Sequence, residues 1–241
     1  MALGFLAGLF WVRYDARQRG ANAALAMDLV FYLILGGVLG SRILYVLIEV
    51  PDAFFDNPLI FFQLWQGGLV FYGGLIGALV ALLFFVIKHK VPFRLYADMC
   101  APAVALGQAF GRIGCVLAGC CYGKELDHTT WYSIIFPDHV NSFAPAGVAL
   151  YPTQLMEASG MLLIFSLLLL VRRKQRFTGQ MLATYLMLYA ALRSTIEIFR
   201  GDLERGFVIE PWLSTSQFIS LLVFAVGAGI YLKYWPKGKR S

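Results

Sequence analysis

The segment 111–123, GRIGCVLAGCCYG, places a cation among four glycines where the sequence predicts the end of a membrane helix. Arg112 is costly there, because a charged side chain at the centre of a spanning helix costs roughly 2.5–3.5 kcal/mol on insertion scales. An anionic partner would offset that cost, and in a bilayer the abundant anion is a lipid phosphate. Glycines let a headgroup or a neighbouring backbone approach closely. The alternative is that Arg112 reaches the interface and the glycines pack helices.

Other charged residues lie within or at the ends of predicted spans: Arg42, Glu157, Arg193, Glu197 and Arg200. Arg193 and Glu197 are four residues apart and therefore share a helix face, so a structural ion pair is one interpretation. With Arg112 included, this set contains four arginines and only two glutamates. The surplus positive charge favours an anionic ligand. The planar arginine fork suits phosphate, to which it donates two parallel hydrogen bonds. The pattern predicts an outward-facing, arginine-lined cavity for a phosphate-bearing lipid.

Three of the four cysteines, Cys115, Cys120 and Cys121, fall within seven residues. They do not form the framework of a secreted disulfide-rich protein. A disulfide, a soft metal ion and small side chains at packing positions all stay open as interpretations. No pair has CxxC spacing, and adjacent cysteines rarely chelate one ion together, so the spacing disfavours a metal.

The composition is that of an integral membrane protein. Of the 241 residues, 59% are hydrophobic and 14% charged, and the mean hydropathy is +0.70, whereas soluble domains are about 25% charged. The excess of basic residues is a topology signal, and no basic soluble surface for a nucleic acid is visible.

The predicted fold is all-α, a single membrane domain over residues 1–241 with about seven transmembrane helices and a small periplasmic head at 114–152. Six stretches are long enough to cross about 30 Å of hydrocarbon: 27–49, 68–88, 95–113, 153–171, 179–199 and 214–235. The apolar segment before Arg13 has about twelve residues, too few to span alone. We therefore expect the first helix to be cut short at its start or Met1 to lie inside it.

Basic residues concentrate in alternate loops and in the tail: Arg13, Arg17 and Arg19; Lys88, Lys90 and Arg94; Arg172, Arg173, Lys174 and Arg176; Lys233, Lys237, Lys239 and Arg240. The opposite loops carry acids: Glu49, Asp52, Asp56, Glu125, Asp127, Asp138, Asp202, Glu204 and Glu210. Basic residues collect on the cytoplasmic side. This alternation predicts a periplasmic N-terminus, a periplasmic 114–152 loop and a cytoplasmic C-terminus.

The chain resembles the bacterial prolipoprotein diacylglyceryl transferases over roughly residues 36–202. The likeness rests on four ordered motifs: GGVLGSRILYVL at 36–47, WQGGLVFYGGLIGALV at 65–80, GRIGCVLAGCCYG at 111–123, and YPTQLMEA at 151–158 followed by LRSTIEIFRGD at 192–202. The third is similar to the family signature GR-[IL]-GN-F-x-NGE-x-x-G.

The resemblance implies a seven-span protein of the bacterial inner membrane. Such an enzyme moves the diacylglyceryl group of phosphatidylglycerol onto the lipobox cysteine thiol of a prolipoprotein, forming a thioether and releasing glycerol phosphate. The expected partners are phosphatidylglycerol, signal peptides carrying a lipobox, and membrane lipids. No metal or organic cofactor is implied. The alternative function on the same fold is a catalytically diverged protein that binds lipid or handles thiols or metals.

The resemblance also implies roles for individual residues. Arg112 and Gly123 match the family's essential arginine and glycine, and Arg193 matches its second functional arginine. Glu197 and Arg200 follow in the same pattern, and Arg42 matches an early arginine. These residues are expected to bind the lipid, with Arg112 and Arg193 also catalytic.

The chain departs from the family where polar groups are expected. Tyr72 replaces the histidine of an HGGLIG motif, Tyr151 replaces another histidine, and Cys115 and Cys120 replace the signature asparagine and glutamate. Tyr72 or Glu157 is therefore expected to act as the general base. Cys115 and Cys120 are expected only to shape the lipid pocket.

Overall fold

The computed structural model describes residues 2–63, 65, 67–138, 142–201, 207–209 and 213–236. Within these ranges the chain forms eight α-helices: α1 (Ala2–Gln18), α2 (Ala23–Ile48), α3 (Pro51–Asp56), α4 (Phe71–His89), α5 (Phe93–Ala118), α6 (Thr153–Arg173), α7 (Gln180–Phe199) and α8 (Thr215–Tyr234). A 3-10 helix covers Pro58–Phe62. The all-α prediction is confirmed.

Two small antiparallel sheets complete the described part. Strands β1 (Ile134–Ile135) and β2 (Ala149–Leu150) pair with Ile134 opposite Leu150. Strands β3 (Phe207–Ile209) and β4 (Leu213–Ser214) pair at the entry to α8. The acids Asp202, Glu204 and Glu210 and the tail cations Lys237, Lys239 and Arg240 lie outside the described residues.

Among the described residues, five helices are long and apolar enough to cross a membrane: α2, α4, α5, α6 and α8. Helices also form at the two other predicted positions, α1 and α7. However, α1 has only 17 residues, and α7 is not among the five. The protein is a polytopic membrane protein, and the predicted count of about seven spans is not confirmed.

The chain divides into two compact units, one made of Val12–Tyr96 and the other of the start of the chain up to Trp11 together with everything from Ala97 onwards. In the first unit, α2 and α4 pack through glycines. A Cβ on Gly40 would overlap the carbonyl of Gly73, and one on Gly77 would overlap that of Gly36. The two GxxxG spacings bring these backbones into contact, as helix packing through small residues requires.

In the second unit, α5, α6 and α7 share an apolar core: Ala101, Ala105, Ala109, Met161, Ile164, Leu168, Met181 and Tyr185. Asp98 of α5 is fully buried and accepts hydrogen bonds from the backbone N–H groups of Gly179 and Leu182 at 2.7 and 2.9 Å. This carboxylate caps the N-terminus of α7, where the helix dipole favours negative charge. The core and the cap fix the three helices that carry the candidate site.

Candidate active site

The end of α5 folds in a way that joins two of the cysteines. Gly119 adopts a left-handed conformation (φ +65°), its N–H donates to Val116 O at 3.2 Å, and the N–H of Cys120 donates to Cys115 O at 3.1 Å. This pair of bonds is the Schellman motif, which brings the side chains at its first and last positions into contact. Cys115 and Cys120 occupy those two positions.

The next residues are fastened to the start of α6. Thr153 Oγ1 donates to Cys121 O at 3.0 Å, and Gln154 Nε2 donates to Cys120 O at 2.9 Å. Both donor side chains are only 1% exposed. Cys121 has a positive φ of 59°, which costs a residue with a side chain roughly 1–3 kcal/mol and persists only where the surroundings impose it.

Gly123 lies where three segments meet. It forms an antiparallel bridge with Arg200, while the N–H of Lys124 donates to Phe199 O at 2.9 Å and that of Tyr151 donates to Lys124 O at 3.0 Å. A Cβ on Gly123 would overlap Tyr151 O and lie 3.0 Å from Phe199 O. Glycine is therefore required for the 121–124 segment to pass between the start of α6 and the end of α7.

Two predicted arginines are each held by a glutamate. Arg112 Nη2 lies 2.8 Å from Glu157 Oε1, although 45 residues separate them in the sequence. Arg193 Nη2 lies 2.7 Å from Glu197 Oε2, and Glu197 also accepts a hydrogen bond from Ser214 Oγ at 3.1 Å. Arg193 is 6% exposed, and its buried Nη1 has no hydrogen-bond partner among the described residues.

These pairs do not change the charge balance inferred from the sequence. The two glutamates are the partners of Arg112 and Arg193, so the count of four arginines against two glutamates still gives a surplus of two positive charges. What the site retains is a buried arginine Nη1 without an acceptor and two arginines whose partners are side chains. Guanidinium groups of this kind can donate to a phosphate, because the planar arginine fork matches the geometry of phosphate oxygens.

The cysteines lie inside the same cluster. The Sγ atoms of Cys115, Cys120 and Cys121 all lie within 4.8 Å of one another. A hydrogen bond from Cys115, together with Arg200 and Arg112, lowers the pKa of Cys121 to about 4, against the effect of burial. Burial raises the pKa of Cys120. The sequence analysis placed Cys115 and Cys120 in the lipid pocket and named Cys121 only among the three cysteines of an open disulfide, metal or packing interpretation.

Two predicted site residues, Arg42 and Tyr72, belong to the other unit. Arg42 is 2% exposed, and its five N–H donors all meet backbone carbonyls: those of Ile60, Phe61, Gln63, Gly67 and Gly68. Arg42 therefore binds the end of the 3-10 helix and the carbonyls of Gln63, Gly67 and Gly68, and in this arrangement it keeps no donor for a lipid phosphate. Tyr72 lies in the first turn of α4 and is half exposed.

A cleft of about 570 Å³ opens beside Gly123. Its lining residues are Tyr122, Gly123, Lys124, Glu125, Phe143, Ala144, Pro145 and Gly201. The walls come from the 122–125 segment and the 143–145 turn, so the cleft borders the strand-like segment that carries Arg200.

Comparisons with known proteins agree on one family. The model of the prolipoprotein diacylglyceryl transferases matches residues 1–233. A phosphatidylglycerol–prolipoprotein diacylglyceryl transferase of Clostridium tetani is 35% identical over 231 residues, which is 96% of this chain and 89% of the relative. One of Clostridium perfringens is 36% identical over 241 residues, covering 100% and 91%. One of Bordetella parapertussis is 38% identical over 207 residues, covering 85% and 76%.

Proposed function

The chain belongs to the prolipoprotein diacylglyceryl transferase family, and on that premise we propose how its residues carry out the transfer. The reaction moves the diacylglyceryl group of phosphatidylglycerol to a prolipoprotein. We take the acceptor atom to be the lipobox cysteine sulfur. A carbon–sulfur bond forms, the bond between that carbon and the phosphate oxygen breaks, glycerol phosphate leaves, and the thiol proton passes to a base.

The observation that carries this proposal is the pair of glutamate-bound arginines. Arg112 and Arg193 bind the donor phosphate, which replaces Glu157 as the partner of Arg112 and accepts from the buried Nη1 of Arg193. The arginine forks then neutralise the charge that grows on the leaving phosphate, a contribution of the kind that oxyanion-stabilising donors make. Glu197, held by Ser214 Oγ at 3.1 Å, keeps Arg193 in place.

The remaining predicted residues support this clamp. Gly123 allows the close passage of the segment that brings Arg200 to the cluster, and Cys115 and Cys120 shape the pocket wall. The cleft beside Gly123 receives the acceptor segment around the lipobox. Lipid binding was predicted for Arg42, and we propose instead that this arginine positions the carbonyl groups that it binds between Ile60 and Gly68. We propose that the whole chain, residues 1–241, works as one membrane domain.

The base is the least conventional part of the site, because the family's histidine is replaced. Glu157 becomes free to accept the thiol proton once phosphate takes Arg112, and Tyr72 is the other candidate. We expect Tyr72→Phe and Glu157→Gln each to lower the rate, by about 100-fold or more for the true base, since general bases contribute about 10²–10⁴-fold. The loss should ease as pH rises and more acceptor thiol ionises.

The control variants for the base are Cys115→Ser and Cys120→Ser, which should retain most of the activity. Transfer rates measured between pH 6 and 9 with a reduced lipobox peptide show which of Tyr72 and Glu157 acts as the general base. If the serine variants are inactive while Tyr72→Phe and Glu157→Gln behave normally, the thiols belong to the chemistry and the assignment is reversed.

The function itself is tested in bacteria depleted of their own transferase. We expect this chain to restore lipidation of a reporter prolipoprotein, seen as a faster-migrating product that requires the lipobox cysteine. A reporter with that cysteine changed to serine is the control. Normal expression without any lipidation would reject the transferase function.

The orientation is a further proposal and rests on the loop charges. The 114–152 head is periplasmic, both N-terminus and active site face outwards, and Ser241 is cytoplasmic. In the same cells, a tag after Ser241 should become accessible only when the inner membrane is permeabilised. Accessibility in intact spheroplasts would contradict the outward-facing lipid site.

A further inference from the structure

The thiols of Cys115, Cys120 and Cys121 lie close together beside the arginine clamp. The proposed transfer reaction does not require all three of them. We propose that Cys115, Cys120 and Cys121 together bind one soft d10 metal ion, with monovalent copper as the ion they suit best. Their Sγ atoms all lie within 4.8 Å of one another. Three sulfurs around one ion at about 2.3 Å stand about 4 Å apart, so small side-chain adjustments complete the site.

The backbone holds the three thiols in place. The Schellman motif at the end of α5 joins Cys115 to Cys120, and the left-handed conformation of Cys121 turns its side chain to the same point. Two buried donors, Thr153 Oγ1 and Gln154 Nε2, bind the carbonyls of Cys121 and Cys120. This geometry explains why adjacent cysteines share one site here, which the sequence spacing disfavoured.

The donor type selects the ion, because thiolates are soft ligands of the kind that favour Cu(I). No histidine or carboxylate joins the three sulfurs among the described residues. A tetrahedral zinc site usually takes four ligands, whereas three thiolates alone suit trigonal Cu(I).

Binding of this ion is separate from the transferase activity and is tested without lipid or peptide. The full-length protein, reduced and in detergent, is titrated with Cu(I) against a chromophoric Cu(I) chelator. We expect one Cu(I) per chain, with a thiolate-to-copper charge-transfer band in the ultraviolet. X-ray absorption of the loaded protein should show about three sulfur neighbours near 2.3 Å.

The variants Cys115→Ser, Cys120→Ser and Cys121→Ser should each weaken Cu(I) binding by at least about 100-fold, the upper end of what losing a supporting partner alone costs. Cys100→Ser is the matched control. Cys100 lies on the same helix as Cys115 but 15 residues away, about 22 Å at 1.5 Å per residue. Its substitution should leave the affinity for Cu(I) unchanged. Thermal unfolding of each variant confirms that it is folded.

Several results would overturn the proposal. These are no Cu(I) taken up by the fully reduced wild-type chain, a coordination shell without three sulfurs, or equal loss of binding in Cys100→Ser. The proposal would also be overturned if two of the three cysteines formed a disulfide that re-forms in air after reduction and excludes Cu(I). None of these results bears on whether the chain transfers lipid.

Discussion

Replacing Arg112 by lysine should lower the transfer rate almost as much as replacing it by alanine, by about 100- to 1,000-fold. Lysine keeps the charge but loses the planar fork that binds two phosphate oxygens at once. Removal of one donor that stabilises a developing anion costs about 2.7–4 kcal/mol, which corresponds to that range. The measurement is the initial rate of lipobox-peptide modification at saturating phosphatidylglycerol.

Stability is the main confounding effect of this change. Arg112→Ala leaves Glu157, 5% exposed at its side chain, as a buried charge without its partner, and breaking a buried pair in this way costs about 3–5 kcal/mol. The double variant Arg112→Gln/Glu157→Gln removes both charges and should fold normally yet stay inactive. Arg173→Ala, on an exposed residue at the end of α6, is the control for loss of a cation. Near-normal transfer by Arg112→Ala would remove this residue from the mechanism.

Gly123→Ala should reduce transfer by about 100-fold, although it adds only one methyl group. That group would overlap Tyr151 O and press on Phe199 O, so the 121–124 segment must move away from the ends of α6 and α7. Misplacement by about 1 Å is enough to cost 10²-fold in rate. Because Arg200 pairs with Gly123 in the backbone bridge, the change also displaces the arginine cluster.

Gly229→Ala in α8 is the matched control, because a Cβ at that glycine meets no atom within 4 Å. It should transfer lipid at the wild-type rate and unfold at the same temperature. If Gly123→Ala were also fully active, the close crossing at Gly123 would have no part in the site.

Local spacing predicted those parts of the site that are close in sequence. Arg193 and Glu197, one helical turn apart, form the ion pair that their spacing indicated. The glycines of α2 and α4, which are spaced as GxxxG, bring the two backbones into contact. Helical periodicity carries such information because the helix itself places residues three and four apart on one face.

Contacts between distant segments could not be read from one sequence. The partner of Arg112 is Glu157, which comes from another helix, and Arg42 is held by carbonyls of a loop about 20 residues away. Backbone carbonyl partners in particular cannot be predicted from side-chain types. A buried arginine that binds them therefore looks, in the sequence, like a cation that needs an anionic ligand. The meeting of three cysteines depends on a helix cap and a left-handed residue, which spacing alone does not specify.

The most direct test of the account uses purified chain in vesicles of phosphatidylglycerol with a reduced peptide bearing one lipobox cysteine. Intact-mass analysis should show the peptide heavier by one diacylglyceryl group, with one glycerol phosphate released for each peptide modified and no metal added. Arg112→Ala in the same vesicles should yield almost none. An unmodified peptide, under conditions in which the Clostridium perfringens relative modifies it, would contradict the account.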